Sequence, residues 1–190
     1  METPKSHPCN AKEMRIRFSK ESDLPLIREV LAEELAGNPA EIRRWMVGIE
    51  ANFSLMFSML RDDELIGFAG LQYLSMSDVI FHSDCIRQAA RGQGFGKAMF
   101  QARLASLDPD HAPYFGGVLA LEKNIPFYQR LGFALLDKPA YDPALRFALA
   151  PMGMEIGADM IESAENELAA AGTNLCIDGG EESPDASPFQ

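Results

Sequence analysis

The residues most able to do chemistry lie together in Arg91-Gly92-Gln93-Gly94-Phe95-Gly96-Lys97. Three glycines at alternate positions let a backbone turn tightly and bring its N–H groups close to a ligand. Just ahead of a helix, they point those amides where the helix dipole favours an anion. A phosphorylated ligand is therefore expected. A dinucleotide turn, G-x-G-x-x-G, would need glycine at 97, where Lys97 stands. A P-loop built on Gly96-Lys97 would need glycine at 91 and Ser or Thr at 98, where Arg91 and Ala98 stand. Neither pattern fits. A bare tight turn is the plainer reading, but a turn alone does not call for Arg, three glycines and a helix start together.

The elements that must hold this loop follow from hydrophobic period. Met14 to Phe18 alternates apolar and charged residues as a half-buried strand does. Ser22-Asp23-Leu24-Pro25 opens a helix whose apolar residues Leu26, Ile27, Val30, Leu31 and Leu35 run to Gly37. A second helix is expected after Asn38, a capping residue ahead of Pro39, through Ile42, Trp45 and Met46 toward Ile49. Phe53 to Leu60 and Leu65 to Leu74, parted by Arg61-Asp62-Asp63-Glu64, read as a β-hairpin. A fourth strand is expected over 78–86, a helix over 96–107, a short strand over 114–119 and a short helix from Pro126 to Leu131. Closing strands are expected at Phe133 to Lys138 and Arg146 to Ala150. The order is mixed α/β, with hairpins as well as strand-helix-strand units.

With those elements in place, the glycine segment resembles the acetyl-coenzyme A loop of the GNAT superfamily, [RQ]-x-x-G-x-[GA], matched by Arg91, Gly94 and Gly96. The second signature of that family, a Tyr ahead of L-G-F, is matched by Phe127-Tyr128-Gln129-Arg130-Leu131-Gly132-Phe133. Both stand in the family's order and spacing, and the resemblance covers roughly Met14 to Ala150. It implies a central, mostly antiparallel twisted sheet of six to seven strands flanked by helices, with acyl-CoA bound where the fourth and fifth strands splay. The organisation expected is a flexible N-terminus over 1–12, an acetyltransferase domain over 13–150, an extension over 151–178 with an amphipathic helix, and a disordered acidic tail over 179–190. The helix, over 155–171, would use Ile156, Met160, Ile161 and Leu168 as its apolar side.

By the same resemblance, amides from Gly92 through Gln93, Gly94 and Phe95 to Gly96 hold the pyrophosphate, with Arg91 and Lys97 adding charge. The pantetheine arm pairs with the open edge of the fourth strand near Asp84 to Ile86, where a backbone N–H polarises the thioester. Tyr128 is the family's general acid for the leaving thiolate; its plainer reading is a buried aromatic. Many members carry Asn seven residues before the Tyr, which falls here on Leu121. Asn124 reads first as the cap of the short helix, with a cofactor contact as its second assignment. Strand alternation puts Ile80, His82, Asp84 and Ile86 on one face unless a bulge intervenes, so His82 or Asp84 could face the acceptor amine as its base. The plainer reading of each is a hydrogen-bonded core or rim residue. Glu64 and Glu122 are weaker candidates, and Cys85 reads as packing, with an acyl-Cys route as the alternative.

The composition sets the bounds on these readings. At 190 residues and 47% hydrophobic, the chain can bury one core of ordinary size. The formal charge of −11 is uneven: residues 151–190 hold nine acids and no Lys or Arg, leaving 19 acids against 17 bases before them. The acidity belongs to the C-terminal segment and says little of the substrate. No basic patch with interleaved aromatics and no run of roughly 18 apolar residues occurs, so neither nucleic acid nor membrane is expected as a partner. Met1 to Ala11 lacks the apolar run of a signal peptide, which suggests a cytoplasmic protein. Cys9, Cys85 and Cys176 lack C-x-x-C spacing, and free thiols and no metal are expected. The expected partners are acetyl-CoA, as co-substrate, and an amine acceptor; a homodimer is left open. The competing class is a catalytically silent module that binds acyl-CoA or lends its surface to a partner.

Overall fold

The computed structural model describes residues 14–142 and 147–177. The N-terminal segment 1–12 with Cys9, the expected strand start at Arg146 and the acidic tail over 179–190 lie outside the described residues. Strand β1 (Met14–Phe18) buries Ile16 completely. Helix α1 (Leu24–Glu34) turns out at Gly37, which has φ +72°, and α2 (Pro39–Ala51) is capped by Asn38, whose side chain accepts from the Ala40 and Glu41 amides. Strands β2 (Met56–Arg61) and β3 (Glu64–Tyr73) form the hairpin, with Asp62 and Asp63 both at positive φ, as a two-residue hairpin turn requires. Then come β4 (Asp78–Ile86), α3 (Phe95–Ala105), β5 (Tyr114–Leu121), α4 (Ile125–Arg130), β6 (Ala134–Leu135) and β7 (Ala140–Asp142). Strand β8 (Phe147–Ile156), α5 (Ala158–Ala170) and β9 (Thr173–Cys176) complete the order.

Among the described residues the strands form one nine-stranded sheet in the order β6-β8-β5-β4-β3-β2-β1-β9, with β7 beside β8. Of its pairs, β4·β5 and β1·β9 are parallel. The sheet is larger than the six or seven strands expected. Strand β8 continues past Ala150 through Pro151 and Gly153, residues that read locally as breakers, because β5 pairs with it from Leu121↔Leu149 to Tyr114↔Ile156. It therefore crosses the position expected to divide the domain from its extension, and Ile156 is a strand residue. The helix begins at Ala158 and buries Ile161, Ala164 and Leu168. Strand β9, which was not expected, lies along β1, and the expected strand from Phe133 shrinks to β6.

Helices α1 and α2 cover one face through Ile27, Val30, Leu31, Ile42, Met46 and Ile49, packed on Met56, Leu65, Phe68 and Cys85. On the other face α3, α4 and α5 build the larger core around Phe81, Phe100, Tyr128 and Phe133. Cys85 is a free, buried thiol; Cys176 is disulfide-bonded and departs from the expectation of free thiols.

What positions a site is the junction of β4 and β5. The two strands pair only at Asp78↔Phe115, Val79↔Gly116 and Ile80↔Gly117. Beyond Ile80 they part, while β3 stays with β4 to Ile86 and β8 stays with β5 to Leu121. The edge of β4 from His82 onward thus loses its β5 partner, leaving a wedge in the sheet.

Candidate functional site

The wedge is shaped by a bulge in β4. Phe68 pairs with Cys85 but Gly70 with His82, so β4 carries one extra residue there, and Ser83 sits at φ +56°. The bulge breaks the alternation expected of this strand. Ile80 and His82 face the α1/α2 side, and Asp84 and Ile86 face the α3 side. The expectation of all four on one face is corrected accordingly. Cys85 packs among the α1/α2 residues, opposite Asp84 as expected.

Of the three expected catalytic residues, two meet. The Tyr128 hydroxyl donates to Asp84 Oδ2 at 3.1 Å. Tyr128 is 5% exposed, and burial, then the Asp84 carboxylate, push its phenol well above the ordinary tyrosine range. Asp84 is exposed as a residue, and its side chain is 26% so. His82 lies apart, its ring over Gly70, where a Cβ would sit 2.2 Å from Cε1. Its Nδ1 is 3.0 Å from Ser83 Oγ, and its Nε2 is buried without a partner. Burial, then the Arg103 charge, depress the His82 pKa, so the imidazole is neutral at neutral pH.

The glycine loop behaves as its sequence implies. Gly92 and Gly94 have φ +76° and +84°, and Gly94 is the N-cap of α3 with no side chain capping the helix. The first amides of α3, at Phe95 and Gly96, are thus aimed outward at the dipole's positive end. Gly96 lies against the Phe127 ring, where a Cβ would come within 3.1 Å. The charged residues are placed less simply. Arg91 pairs with Glu34 of α1, and its Nε donates to the Ile86 carbonyl at 2.9 Å. That carbonyl faces the opened edge, since the neighbouring Arg87 N–H donates the other way, to Ile66. Lys97 pairs with Glu167 of α5 at 2.9 Å. Gln93 takes a hydrogen bond from Arg61, whose guanidinium lies 5.8 Å from the Phe95 ring centroid. Asn124 holds the N-cap position of α4 but makes no capping hydrogen bond, against its first reading.

Two residues escaped the sequence reading. Arg61 ends β2 beside the loop and carries no local signal. Arg103 reads as an ordinary helix residue, yet its side chain is 1% exposed and it pairs with Asp84 at 2.5 Å. Beside the wedge, a cavity of about 400 Å³ is lined by residues including Val30, Glu33, Glu34, Cys85 and Arg87. Burial, then Glu34, push the Cys85 thiol up to about 12, so it stays protonated at neutral pH and is a poor nucleophile. Among the described residues no cluster of His, Cys, Asp or Glu could hold a metal, and no helix is long and apolar enough to cross a membrane.

Residues 52–135 match the family model of the acetyltransferase (GNAT) domain. No curated protein matches the chain in sequence. Among solved structures, Ard1 from Thermoplasma volcanium is similar over 76% of this chain and 98% of its own, at 15% identity and TM-score 0.62. The ribosomal-protein-S18-alanine N-acetyltransferase from Escherichia coli is similar over 76% of this chain and 94% of its own, at 19% identity and TM-score 0.59. The PaiA N-acetyltransferase from Thermoplasma acidophilum, in complex with coenzyme A, is similar over 75% and 98%, at 18% identity and TM-score 0.58. At such identities the likeness is one of fold, including the mostly antiparallel sheet flanked by helices.

Proposed function

We propose that this chain, whose residues 52–135 match the family model of the acetyltransferase (GNAT) domain, moves an acetyl group from acetyl-CoA to a primary amine by direct attack in a ternary complex. The observation that carries the reading is the meeting of Tyr128 and Asp84 at the mouth of the β4/β5 wedge. An uncapped glycine start of α3 follows on the same strand. Coenzyme A is bound in one protein of this fold, and the parts here suit such a ligand: an anion-seeking helix end and an opened strand edge.

In this reading the amides from Gly92 to Gly96 hold the pyrophosphate, with Arg61 and Arg91 as neighbouring cations. The Ile86 edge pairs with the pantetheine arm, and a backbone N–H of the β4 edge polarises the thioester carbonyl. The amine attacks as a neutral nucleophile, Asp84 takes its proton, and Tyr128 supplies the proton that the thiolate leaves with. His82, neutral but on the other face of the strand, is the second candidate for the base. The protonated Cys85 favours direct attack over an acyl-enzyme. Small-molecule and protein amines are both compatible with the acceptor side.

The test is release of free coenzyme A from acetyl-CoA in the presence of a panel of amines, with mass spectrometry of the products. Amine-dependent release with an acetylated product supports the reading. Tight binding of acetyl-CoA with no release for any amine would make the protein a silent acyl-CoA-binding module instead.

A further inference from the structure

We infer that Arg103 is a positioning residue for the transfer, holding Asp84 where it can hand a proton to Tyr128 as Tyr128 gives its own to the departing thiolate. The inference rests on the acetyl-transfer reading above and extends it to a residue inside α3.

Three unusual features converge on one carboxylate. The first is the burial of a guanidinium, which is costly unless it is paired and hydrogen-bonded. Three of the five N–H donors of Arg103 go to the Met99 carbonyl at 3.3 Å, the Gly70 carbonyl at 3.1 Å and Asp84 Oδ1 at 2.5 Å. It also lies 5.0 Å from the Phe81 ring centroid. The second is the bulge with Ser83 in the left-handed region, which turns Asp84 toward α3. The third is the Gly70 carbonyl, beside that bulge, given to Arg103. A helix that needed only packing would carry an apolar residue here, as it does at Met99 and Phe100. With Oδ1 fixed by Arg103, Oδ2 is left for Tyr128.

The arrangement removes an obstacle to Tyr128 as an acid. At rest its one proton is committed to Asp84, and burial disfavours the tyrosinate. Once the attacking nitrogen has formed its bond to the acetyl carbon, its proton passes to Asp84 Oδ2, directly or through water. The resulting carboxylic acid donates to the Tyr128 oxygen, so the hydrogen bond reverses and the phenol proton turns toward sulfur. The C–S bond breaks, sulfur takes the Tyr128 proton, and Tyr128 takes the one from Asp84. The products are the amide and the free thiol; Asp84 is again a carboxylate and Tyr128 has never carried charge.

The test uses the full chain, with acetyl-CoA and the best amine from a panel of spermidine, amino-acid amides and short peptides. R103K and R103M are compared alone and combined with Y128F for kcat, acetyl-CoA Kd by calorimetry, and Tm. R103M should lower kcat at least tenfold with Kd within twofold. R103K should recover most of that kcat even where its Tm falls as far, because Lys can reach Asp84 but cannot fork three acceptors. R103M/Y128F should be no slower than Y128F within twofold, since both act on one proton path. If R103M does not fold, R103Q with Y128F gives the same comparison. Losses that multiply in the double variant, an R103K as slow as R103M, or a loss in Kd with kcat kept would reduce Arg103 to packing. A wild type that binds acetyl-CoA but transfers to no amine would also overturn the relay. A wild type that does not bind acetyl-CoA would overturn the reading beneath it.

Discussion

Two Arg–Asp pairs in this molecule are built in opposite senses. In Arg17–Asp23 the acid is the buried member, at 5% side-chain exposure against 20% for the Arg. Both oxygens of Asp23 accept: Arg17 forks onto the two at 2.7 and 2.9 Å, and the Lys20 amide and Ser58 hydroxyl add bonds to Oδ2. That pair ties β1 and β2 to the start of α1. In Arg103–Asp84 the base is the buried member and the acid faces the wedge, with one oxygen shared with a phenol that lines the core. A pair that closes on itself holds structure. A pair that buries its cation and presents its anion is arranged to act on something outside it.

The contrast can be broken by substitution. The largest effect is expected from R17M, which leaves Asp23 buried and without its cation and should cost about 3–5 kcal/mol of stability. Urea denaturation measures this, and kcat per folded molecule should be unchanged. R103M should do the reverse, losing kcat more than stability; equal behaviour of the two variants would erase the distinction.

A smaller effect is expected from G94V, because a β-branched residue at φ +84° is strained by about 1–3 kcal/mol and the loop can relieve that strain only by giving up its shape. Acetyl-CoA affinity should fall roughly 10- to 100-fold by calorimetry, with a lesser loss of Tm. Unchanged affinity in a folded variant would refute the phosphate cradle.

The smallest effect concerns pH. Burial alone would raise the Asp23 pKa, but the Arg17 hydrogen bond, the Lys20 amide and the Ser58 hydroxyl outweigh it and hold the carboxyl below its ordinary value. As pH falls the unfolded chain therefore takes up its proton first. The stabilisation is complete above the unfolded value near 4 and is lost as pH falls toward the folded one. The urea midpoint should drop between pH 6 and 3 more steeply in wild type than in D23N. Parallel slopes would show that Asp23 is not linked to acid unfolding.

The features legible in the sequence are those fixed by local chemistry. Gly92, Gly94 and the start of α3, Asn38 as a cap, and Tyr128 ahead of Leu131-Gly132-Phe133 each follow from a few adjacent residues. What escaped depends on partners far along the chain. The bulge at Ser83 is defined only by pairing with Phe68 and Gly70. Strand β8 survives Pro151 and Gly153 because β5 lies beside it, and the four-residue β9 exists only against β1. Arg103 gives no local signal, because its partner is a strand residue 19 positions earlier. The missing Asn124 cap is a milder failure, since a cap-type residue ahead of Pro126 does stand at the helix start but makes no capping hydrogen bond.

The most direct test of the central claim, that the Tyr128–Asp84 pair serves acetyl transfer at the wedge, is a single-turnover measurement of transfer by Y128F at saturating acetyl-CoA. The substitution removes one hydroxyl and keeps the ring packed against Phe127 and Phe133. A rate lower by about tenfold or more with acetyl-CoA affinity unchanged is expected, because the hydroxyl is needed only where charge develops on sulfur. An unchanged single-turnover rate would contradict the claim.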